Sequence, residues 1–548
     1  MINQLPLLSA IYVQLYSRFY LDQTPPIGYR KLPEGKEWSF IGNLIRLFRE
    51  PLWSHLYNKS KIHGPIFKLI MGCREVIVLS SNNTICKVFK NKGVNLSERW
   101  PDILFETYNC EMNILFKDKA WWTIRRSLIL KVLKNFISKE QKLIEIVNEE
   151  CLILLKDIKD VCGKEINTKE LFRKSMVNIL SKIIINLRFE RESKNYKILN
   201  EIIEENSQIK NMLIKTMLLF PWLEKLPKFV RFLFWCSEYK RNYKIQNSFF
   251  KEIIEEHKRK FDSMNKVENL IDAFLKEQNN LGENNRIIDG ITDWQLIRNG
   301  IELFIVAFEK IRTLLSWSMV LMARHSEIQE RIHEEIIQLI GRDKIPNLVN
   351  KRSLPYTQAV IDEIFRYSSL VPITLPHKIT EDIELHEYLI QKNSLVFVNF
   401  YAVHRDGDVW EKPDDFYPEH FLKLLTNGDI KYTPRDELMP FGIGSMQCLG
   451  EKFTKFQLFV ILTSIVQNFK IKFRREITEE NSNSILHETN GMIRSPLNSD
   501  VLEREVDELS QRLIKKLDEL KNTTTYYQCQ VKRSSQQKEE LETQAEQI

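Results

Sequence analysis

The chain has 548 residues, of which 43% are hydrophobic and 28% are charged, so a sizeable globular core can be buried. The formal net charge of +7 is a small excess for this length and does not by itself indicate a nucleic-acid-binding protein. No nucleic-acid partner is therefore predicted.

The eight cysteines are scattered along the chain, without a CxxC pair or a dense cluster. This usage argues against a disulfide-stabilised scaffold and favours a reducing environment. A cysteine with a special role must therefore be identified from its sequence neighbours.

The N-terminal segment 1–22 begins with an apolar stretch that carries no charge over residues 1–17. A membrane-spanning helix needs roughly 20 predominantly apolar residues, and this stretch is short and contains polar side chains. It predicts either a weak membrane anchor or a terminus docked on the protein. Residues 23–43 are rich in proline and glycine and are typical of a linker.

Short apolar runs at 66–71 and 75–79 predict a β-hairpin, and residues 118–215 have a largely helical spacing of apolar residues. Residues 217–236 combine aromatic and basic side chains with two prolines. This composition fits either a core-facing loop and short helix or a surface that enters a membrane interface.

The segment 294–325 predicts one long helix that is apolar almost all round and is therefore buried. Four charged residues argue against a transmembrane span, namely Glu302, Glu309, Lys310 and Arg312. Residues 395–400 predict a strand and residues 449–470 a second buried helix.

The segment 502–548 differs in character from the preceding chain. Apolar residues at three- and four-residue spacing from Leu502 to Leu520 predict a charged amphipathic or short coiled-coil helix, and residues 522–548 are polar and predicted to be disordered.

The most informative motif is FGIGSMQCLG at residues 441–450, which precedes the second buried helix. Glycines allow a tight turn around Cys448, and the amides at the start of the following helix stabilise a thiolate. The pattern therefore favours a metal-ligating thiolate over a cysteine that is merely buried in a glycine-rich turn.

Four further signals are individually weak. Glu363 and Arg366 are three residues apart on a predicted helix and can pair. The segment 415–421 contains His420, which can contact that pair. Trp121 and Arg125 share a helix face, and His377 follows a proline; these three side chains could each donate to an anionic group.

The order of these motifs resembles that of cytochromes P450 over residues 25–501. WxxxR, ExxR, a PERF-like box and FxxGxxxCxG occur in that family's order. FPWLEKLP, NLIDAFLKE and YAVHRD are similar to the microsomal group, and in particular to insect enzymes of the clan that includes methyl farnesoate epoxidases.

The resemblance implies a mainly α fold with small β-sheets, in which residues 44–501 form a triangular helical prism. Haem b would lie buried between a long distal helix and the cysteine loop. Within that loop, Cys448 would ligate the iron, while Phe441, Gly442 and Gly450 would shape the haem site.

The resemblance also assigns roles to residues elsewhere in the chain. Trp121, Arg125 and His377 would bind the haem propionates, and Glu363 and Arg366, together with His420, would hold the segment beneath the haem. Val306 and Ala307 would lie near a lipophilic substrate, either a terpenoid, a steroid or a xenobiotic.

The implied electron donor is an NADPH-cytochrome P450 reductase, with cytochrome b5 as a further candidate. The implied location is the endoplasmic reticulum membrane, with the catalytic body facing the cytosol. A basic cluster either forms a docking face for an acidic partner or is ordinary solvated charge; its members are Arg125, Arg126, Lys131 and Lys134.

Three positions depart from the family pattern. Met446 stands where an arginine is usual, His420 replaces the arginine of PERF, and Lys310 replaces the hydroxyl residue of the distal helix after Glu309. Protons would then arrive through Glu309 and water or through Lys310.

Two functional interpretations follow. A haem-thiolate monooxygenase is expected, and the alternative is a catalytically impaired haem protein that acts as a lipophilic-ligand binder or an isomerase-like enzyme. A non-haem helical protein with coincidental motifs is disfavoured by the order of the four motifs.

Overall fold

The structure is a computed structural model that describes 15 parts of the chain. They are residues 30–33, 51–71, 74–90, 98–99, 126–127, 129–131, 140–161, 167–190, 192–204, 228–260, 267–280, 293–342, 344–473, 493–496 and 503–506. The predicted N-terminal anchor and most of the predicted linker lie outside these residues.

Helices account for most of the described chain. The helices are α1 Leu52–His63, α2 Asn82–Lys90, α3 Glu140–Asp160, α4 Thr168–Ile185, α5 Lys228–Lys260, α6 Leu270–Asn280, α7 Asp293–Arg324, α8 Ser326–Leu339, α9 Leu348–Lys351, α10 Pro355–Ser368, α11 Phe400–Val403 and α12 Glu451–Asn468. Residues 194–204 are also helical. Among the described residues, none of the helices has the length and apolar character that crossing a bilayer requires.

Small β-sheets complete the fold. The strands are β1 Ile66–Met71, β2 Arg74–Leu79, β3 Glu98–Arg99, β4 His377–Lys378, β5 Ile383–Leu385, β6 Tyr388–Ile390, β7 Leu395–Val398, β8 Leu422–Leu424, β9 Ile430–Tyr432, β10 Phe469–Lys472 and β11 Glu503–Val506. The largest sheet has the order β1-β2-β7-β4-β3. The prediction of a mainly helical protein with small sheets is confirmed.

The predicted β-hairpin is confirmed as β1 and β2, which pair antiparallel from Ile66 opposite Leu79 to Met71 opposite Arg74. Strand β7 then pairs parallel with β2, although more than 300 residues separate the two strands in the chain. Parallel neighbours need a long crossover connection, and here the helical part of the protein supplies it.

The long buried helix is confirmed as α7, which spans 32 residues. Its side chains belong to the main hydrophobic core, and the exposed fraction is 0% for Phe308, Leu314 and Trp317. The helix contacts α4, α10 and α12, so it runs through the middle of the helical core. The strand predicted at 395–400 and the helix predicted at 449–470 are confirmed as β7 and α12.

Two segments differ from the predictions. The chain from Lys228 continues as one 33-residue helix rather than a short one, because residues 228–260 contain no proline or glycine to end it. Glu503–Val506 was expected to be helical but forms a strand that pairs antiparallel with β10. The backbone groups of β10 gain a hydrogen-bonding partner there, and this overrides the local helical spacing.

Candidate functional site

The cysteine loop connects a tight turn to the start of α12. Gly442 and Gly444 have φ values of +78° and +76°, which side-chain-bearing residues rarely adopt. The backbone amide of Cys448 donates to the carbonyl of Phe441 at 2.9 Å, which closes the loop on itself. The Phe441 ring packs edge-on against Phe365 of α10, with ring centroids 5.0 Å apart.

Gly444 has a second reason to be glycine. A Cβ atom at this position would lie 3.2 Å from the carbonyl oxygen of Phe89, which is tighter than nine in ten real Cβ contacts. The absence of a side chain at residue 444 therefore lets the loop lie directly against the end of α2 without a shift of its backbone.

Cys448 is exposed, although apolar side chains of the same loop are partly buried. Phe441, Met446 and Leu449 pack against the main hydrophobic core. Free cysteines are usually buried, as Cys151 is, and burial raises the pKa of the Cys151 thiol to about 11. The Cys448 sulfur is instead exposed beside these apolar side chains, where a bound group can reach it.

One cation approaches this loop from a distant part of the chain. The guanidinium Nη2 of Arg126 donates to the carbonyl of Gln447, next to Cys448. Partial burial lowers the pKa of Arg126, whereas the Cys448 sulfur nearby raises it. From the sequence, Arg126 was interpreted as part of a docking face or as ordinary solvated charge, because a contact across 321 positions leaves no local signal.

Glu363 and Arg366 form a buried ion pair on α10. Arg366 donates from Nε and Nη2 to the two carboxylate oxygens, each at 2.7 Å, and both side chains are 0% exposed. The remaining donors of Arg366 reach the carbonyls of His404, Pro413 and Asp415. The pair thus ties α10 to the segment that precedes the cysteine loop.

His420 lies at the same carboxylate. Its Nδ1 is 3.2 Å from a carboxylate oxygen of Glu363, and the amide of Tyr417 donates to the other oxygen at 2.7 Å. The imidazole packs edge-on against Trp410, with centroids 5.3 Å apart. The structure therefore brings Glu363, Arg366 and His420 together, with one bond from His420 where arginine could make two.

His404 and Arg405 join this network, which the sequence patterns did not indicate. His404 Nε2 accepts from the amide of Met439 at 3.1 Å, and its Nδ1 lies 3.0 Å from the hydroxyl of Ser369. Burial lowers the pKa of His404 well below its ordinary value, and Arg366 and Arg405 lower it further. The ring is therefore neutral.

The long helix α7 has one partly exposed stripe in its middle. Leu303, Val306, Ala307 and Lys310 are partly exposed, at the three- and four-residue spacing of a single helix face. Their neighbours Phe304, Phe308 and Ile311 are at most 2% exposed. The structure thus places Lys310 on the same stripe as Ala307, and the other members of this stripe are apolar.

Glu309, which is also partly exposed, is paired with Arg312. Both oxygens of the carboxylate accept from Nη2 of Arg312, at 3.0 Å each. Arg312 is only 9% exposed and lies about half a turn around the helix from the stripe. This pair was not predicted, although the spacing of three residues between Glu309 and Arg312 could have indicated it.

The residues predicted to bind the propionates are only partly within the described chain. His377 is in β4, where its side chain is buried and its ring packs edge-on against Phe89, with centroids 5.1 Å apart. Trp121 and Arg125 lie outside the described residues. Phe89 therefore links His377 to the cysteine loop, since it also lies against Gly444.

Comparisons with known proteins agree with this geometry. The sequence model of the family described as cytochrome P450 matches residues 32–496. The chain is 30% identical to cytochrome P450 2F2 of Mus musculus over 455 residues, which cover 81% of this chain and 89% of that protein. It is 30% identical to cytochrome P450 2H1 of Gallus gallus over 435 residues, which cover 79% and 85% of the two chains. The chain belongs to the cytochrome P450 family.

A cytochrome P450 is a monooxygenase, an oxidoreductase whose haem is bound through a cysteine thiolate. The described residues fit such a haem. Cys448 presents an exposed sulfur in an apolar surround, Arg126 supplies a cation beside it, and α7 has a partly exposed apolar stripe. Elsewhere in the described chain, no cluster of histidine, cysteine and carboxylate side chains could hold a metal ion.

Proposed function

We propose that this cytochrome P450 inserts one oxygen atom from O2 into a lipophilic substrate, with haem b ligated by Cys448. The exposed thiol in a loop whose apolar side chains pack against the core is the observation that carries this proposal. A thiolate-ligated haem supplies the electron density that favours cleavage of the O–O bond. The protein positions the substrate and excludes water.

The roles of the site residues extend this proposal. Phe441, Gly442 and Gly450 shape the loop around the sulfur, and a Cβ atom on Gly450 would lie 4.0 Å from Sγ of Cys448. Trp121, Arg125 and His377 bind the propionates. Glu363, Arg366 and His420 fix the segment beneath the haem through their buried contacts.

The substrate class follows from the stripe on α7. Leu303, Val306 and Ala307 offer an apolar wall, which favours a lipophilic ligand such as a terpenoid, a steroid or a xenobiotic. The resemblance to insect enzymes of the clan with methyl farnesoate epoxidases makes a terpenoid the first class to assay.

Protons reach the site through Lys310 or through Glu309 and water. Lys310 occupies the position of the usual hydroxyl and lies on the stripe. Glu309 is paired with Arg312 through both oxygens, so its carboxylate must leave that pair before it can relay a proton through water. Lys310 is therefore the first residue to test for proton delivery.

The electron donor in this proposal is an NADPH-cytochrome P450 reductase, with cytochrome b5 as a second donor. The enzyme associates with the endoplasmic reticulum membrane, with its catalytic body facing the cytosol. Residues 1–22 and the aromatic-rich segment 217–236 supply the membrane contacts. The composition of both segments supports this assignment.

The proposal is tested first by the reduced, CO-bound difference spectrum of the full chain. We expect a Soret band of thiolate-ligated haem that is lost in Cys448→Ser and retained in Cys86→Ser, whose thiol is partly exposed on α2. A wild-type spectrum without this band, or a band that survives in Cys448→Ser, contradicts the proposal.

A second measurement separates the monooxygenase from a catalytically impaired binder or isomerase-like enzyme. Nothing in the comparisons favours the impaired alternative. We expect substrate-dependent NADPH consumption that is matched by oxygenated product. Substrate binding without matched product would favour the alternative.

A further inference from the structure

We propose that Arg126 is a positioning residue for the cysteine loop, which it clamps through the carbonyl of Gln447 so that the sulfur of Cys448 keeps one orientation. This inference rests on the proposed role of Cys448 as the haem ligand. It assigns to Arg126 a structural task at the haem ligand, in addition to any part it has in a basic docking face.

The contact fixes the peptide unit that immediately precedes Cys448. At one end of this unit the amide of Cys448 donates to the carbonyl of Phe441 at 2.9 Å. At the other end the carbonyl of Gln447 accepts from Arg126. With both ends bonded, the peptide plane cannot rotate without loss of a hydrogen bond, so the direction of the Cα–Cβ bond of Cys448 is determined.

In the described part of the loop, the other contacts of Gln447 leave that carbonyl to Arg126. The amide of Gln447 donates to Gly444 at 3.1 Å, and its side-chain amide donates to Glu451 at 2.7 Å. Both contacts engage other atoms of residue 447. The anchor on the carbonyl comes from a helical segment 321 positions earlier in the chain.

The helical segment that carries Arg126 packs on the protein through Ile129. Residues 126–127 and 129–131 are helical, and Ile129 is 0% exposed within the main core. Arg126 lies between buried Ile129 and exposed Leu130 around the helix, since these positions are three and four residues away. Its side chain is therefore partly buried at the edge of the packed face.

The positive charge of Arg126 also acts on the cysteine loop. Residues 441–450 contain no cationic side chain, because Met446 stands where the family usually has arginine. Met446 packs against the core instead. The Arg126 guanidinium interacts electrostatically with the Cys448 sulfur. An arginine has several donors, so it can bond a carbonyl and stabilise a thiolate at the same time.

The test compares Arg126→Gln with Lys131→Gln in the full chain. Both changes remove one positive charge from the same helical segment, and the described bond to the carbonyl of Gln447 comes from Arg126. We expect Arg126→Gln to raise the rate of haem transfer to apomyoglobin about 10-fold, as loss of a ligand-supporting partner typically does, and to increase the non-thiolate Soret fraction. Lys131→Gln is expected to leave both unchanged, and Arg126→Lys to fall between.

The rate of hydrogen exchange in the 441–450 peptide measures how firmly Arg126 holds the loop, and this measurement does not depend on haem. We expect faster exchange in Arg126→Gln and no change in Lys131→Gln. The inference would be overturned if Arg126→Gln changed neither the exchange nor the spectrum while both variants lost reductase affinity equally. Docking would then be the only role left for Arg126. A wild type without the thiolate band contradicts the proposed function instead, while the exchange result still decides the clamp.

Discussion

Arg366 reaches Glu363 through two hydrogen bonds of 2.7 Å, and neither side chain has any exposed surface. Two charges buried this deeply are stable only while each has a full set of partners. Three backbone carbonyls around Arg366, together with Tyr417 and His420 around Glu363, complete that set.

Glu363→Gln is therefore expected to destabilise the protein strongly. The substitution leaves Arg366 as a buried charge without its counter-ion, and such losses cost about 3–5 kcal/mol. Thermal unfolding of the full chain measures the effect. The matched control is Lys470→Gln, which breaks a half-exposed pair with Glu330 and should cost about 0–1 kcal/mol. Equal losses in the two variants would refute the argument.

His420→Ala should remove one of the hydrogen bonds on Glu363 and lower stability by about 1–3 kcal/mol, because a buried charged acceptor loses a donor. His420→Gln keeps a donor within reach and should recover part of this loss. Thermal unfolding of the two variants in parallel decides the point. If alanine and glutamine are equivalent, packing against Trp410 rather than the hydrogen bond is what His420 contributes.

Gly444→Ala should harm the cysteine loop more than a comparable glycine substitution elsewhere. Its φ of +76° costs an alanine about 1–2 kcal/mol, and the new methyl group meets the carbonyl of Phe89. Gly341→Ala is the control, because its φ is +87° but nothing lies within 4 Å of a Cβ. Both should lose thermal stability, and only Gly444→Ala should also lose thiolate-ligated haem in the CO spectrum. Normal haem in both variants would show that the close approach is dispensable.

The neutral His404 predicts a specific acid sensitivity. Because its pKa is lowered well below its ordinary value in the folded protein, the unfolded chain takes up a proton first as the pH falls. The contribution of His404 to stability is thus complete above about pH 6.5 and is lost progressively below it. The His404→Gln variant should be less stable than the wild type at pH 7.5. Its melting temperature should fall less than that of the wild type when the pH is lowered from 7.5 to 5.5. Parallel pH profiles would contradict this.

Local patterns identified much of the fold and several parts of the site. The hairpin of β1 and β2, the long helix α7 and the loop around Cys448 each have a periodic or short-range signature. Glu363 and Arg366 are visible for the same reason, because three residues on a helix place them side by side.

Contacts between distant segments were not predictable in this way. The bond from Arg126 to Gln447 and the place of His404 among Arg366, Arg405 and Met439 depend on how separate elements pack. Nor could spacing alone show that Lys310 lies on the partly exposed stripe of α7. Burial by neighbouring helices decides which face of α7 stays open.

The strand Glu503–Val506 has a practical consequence for where the chain can be cut. It pairs with β10, and it lies beyond residue 496, where the match to the family ends. A version shortened at that boundary would strip β10 of its only described strand partner and leave its amides and carbonyls open to another molecule. Residues 503–506 therefore protect the edge of β10 from aggregation. A truncation designed from the family boundary alone would remove them.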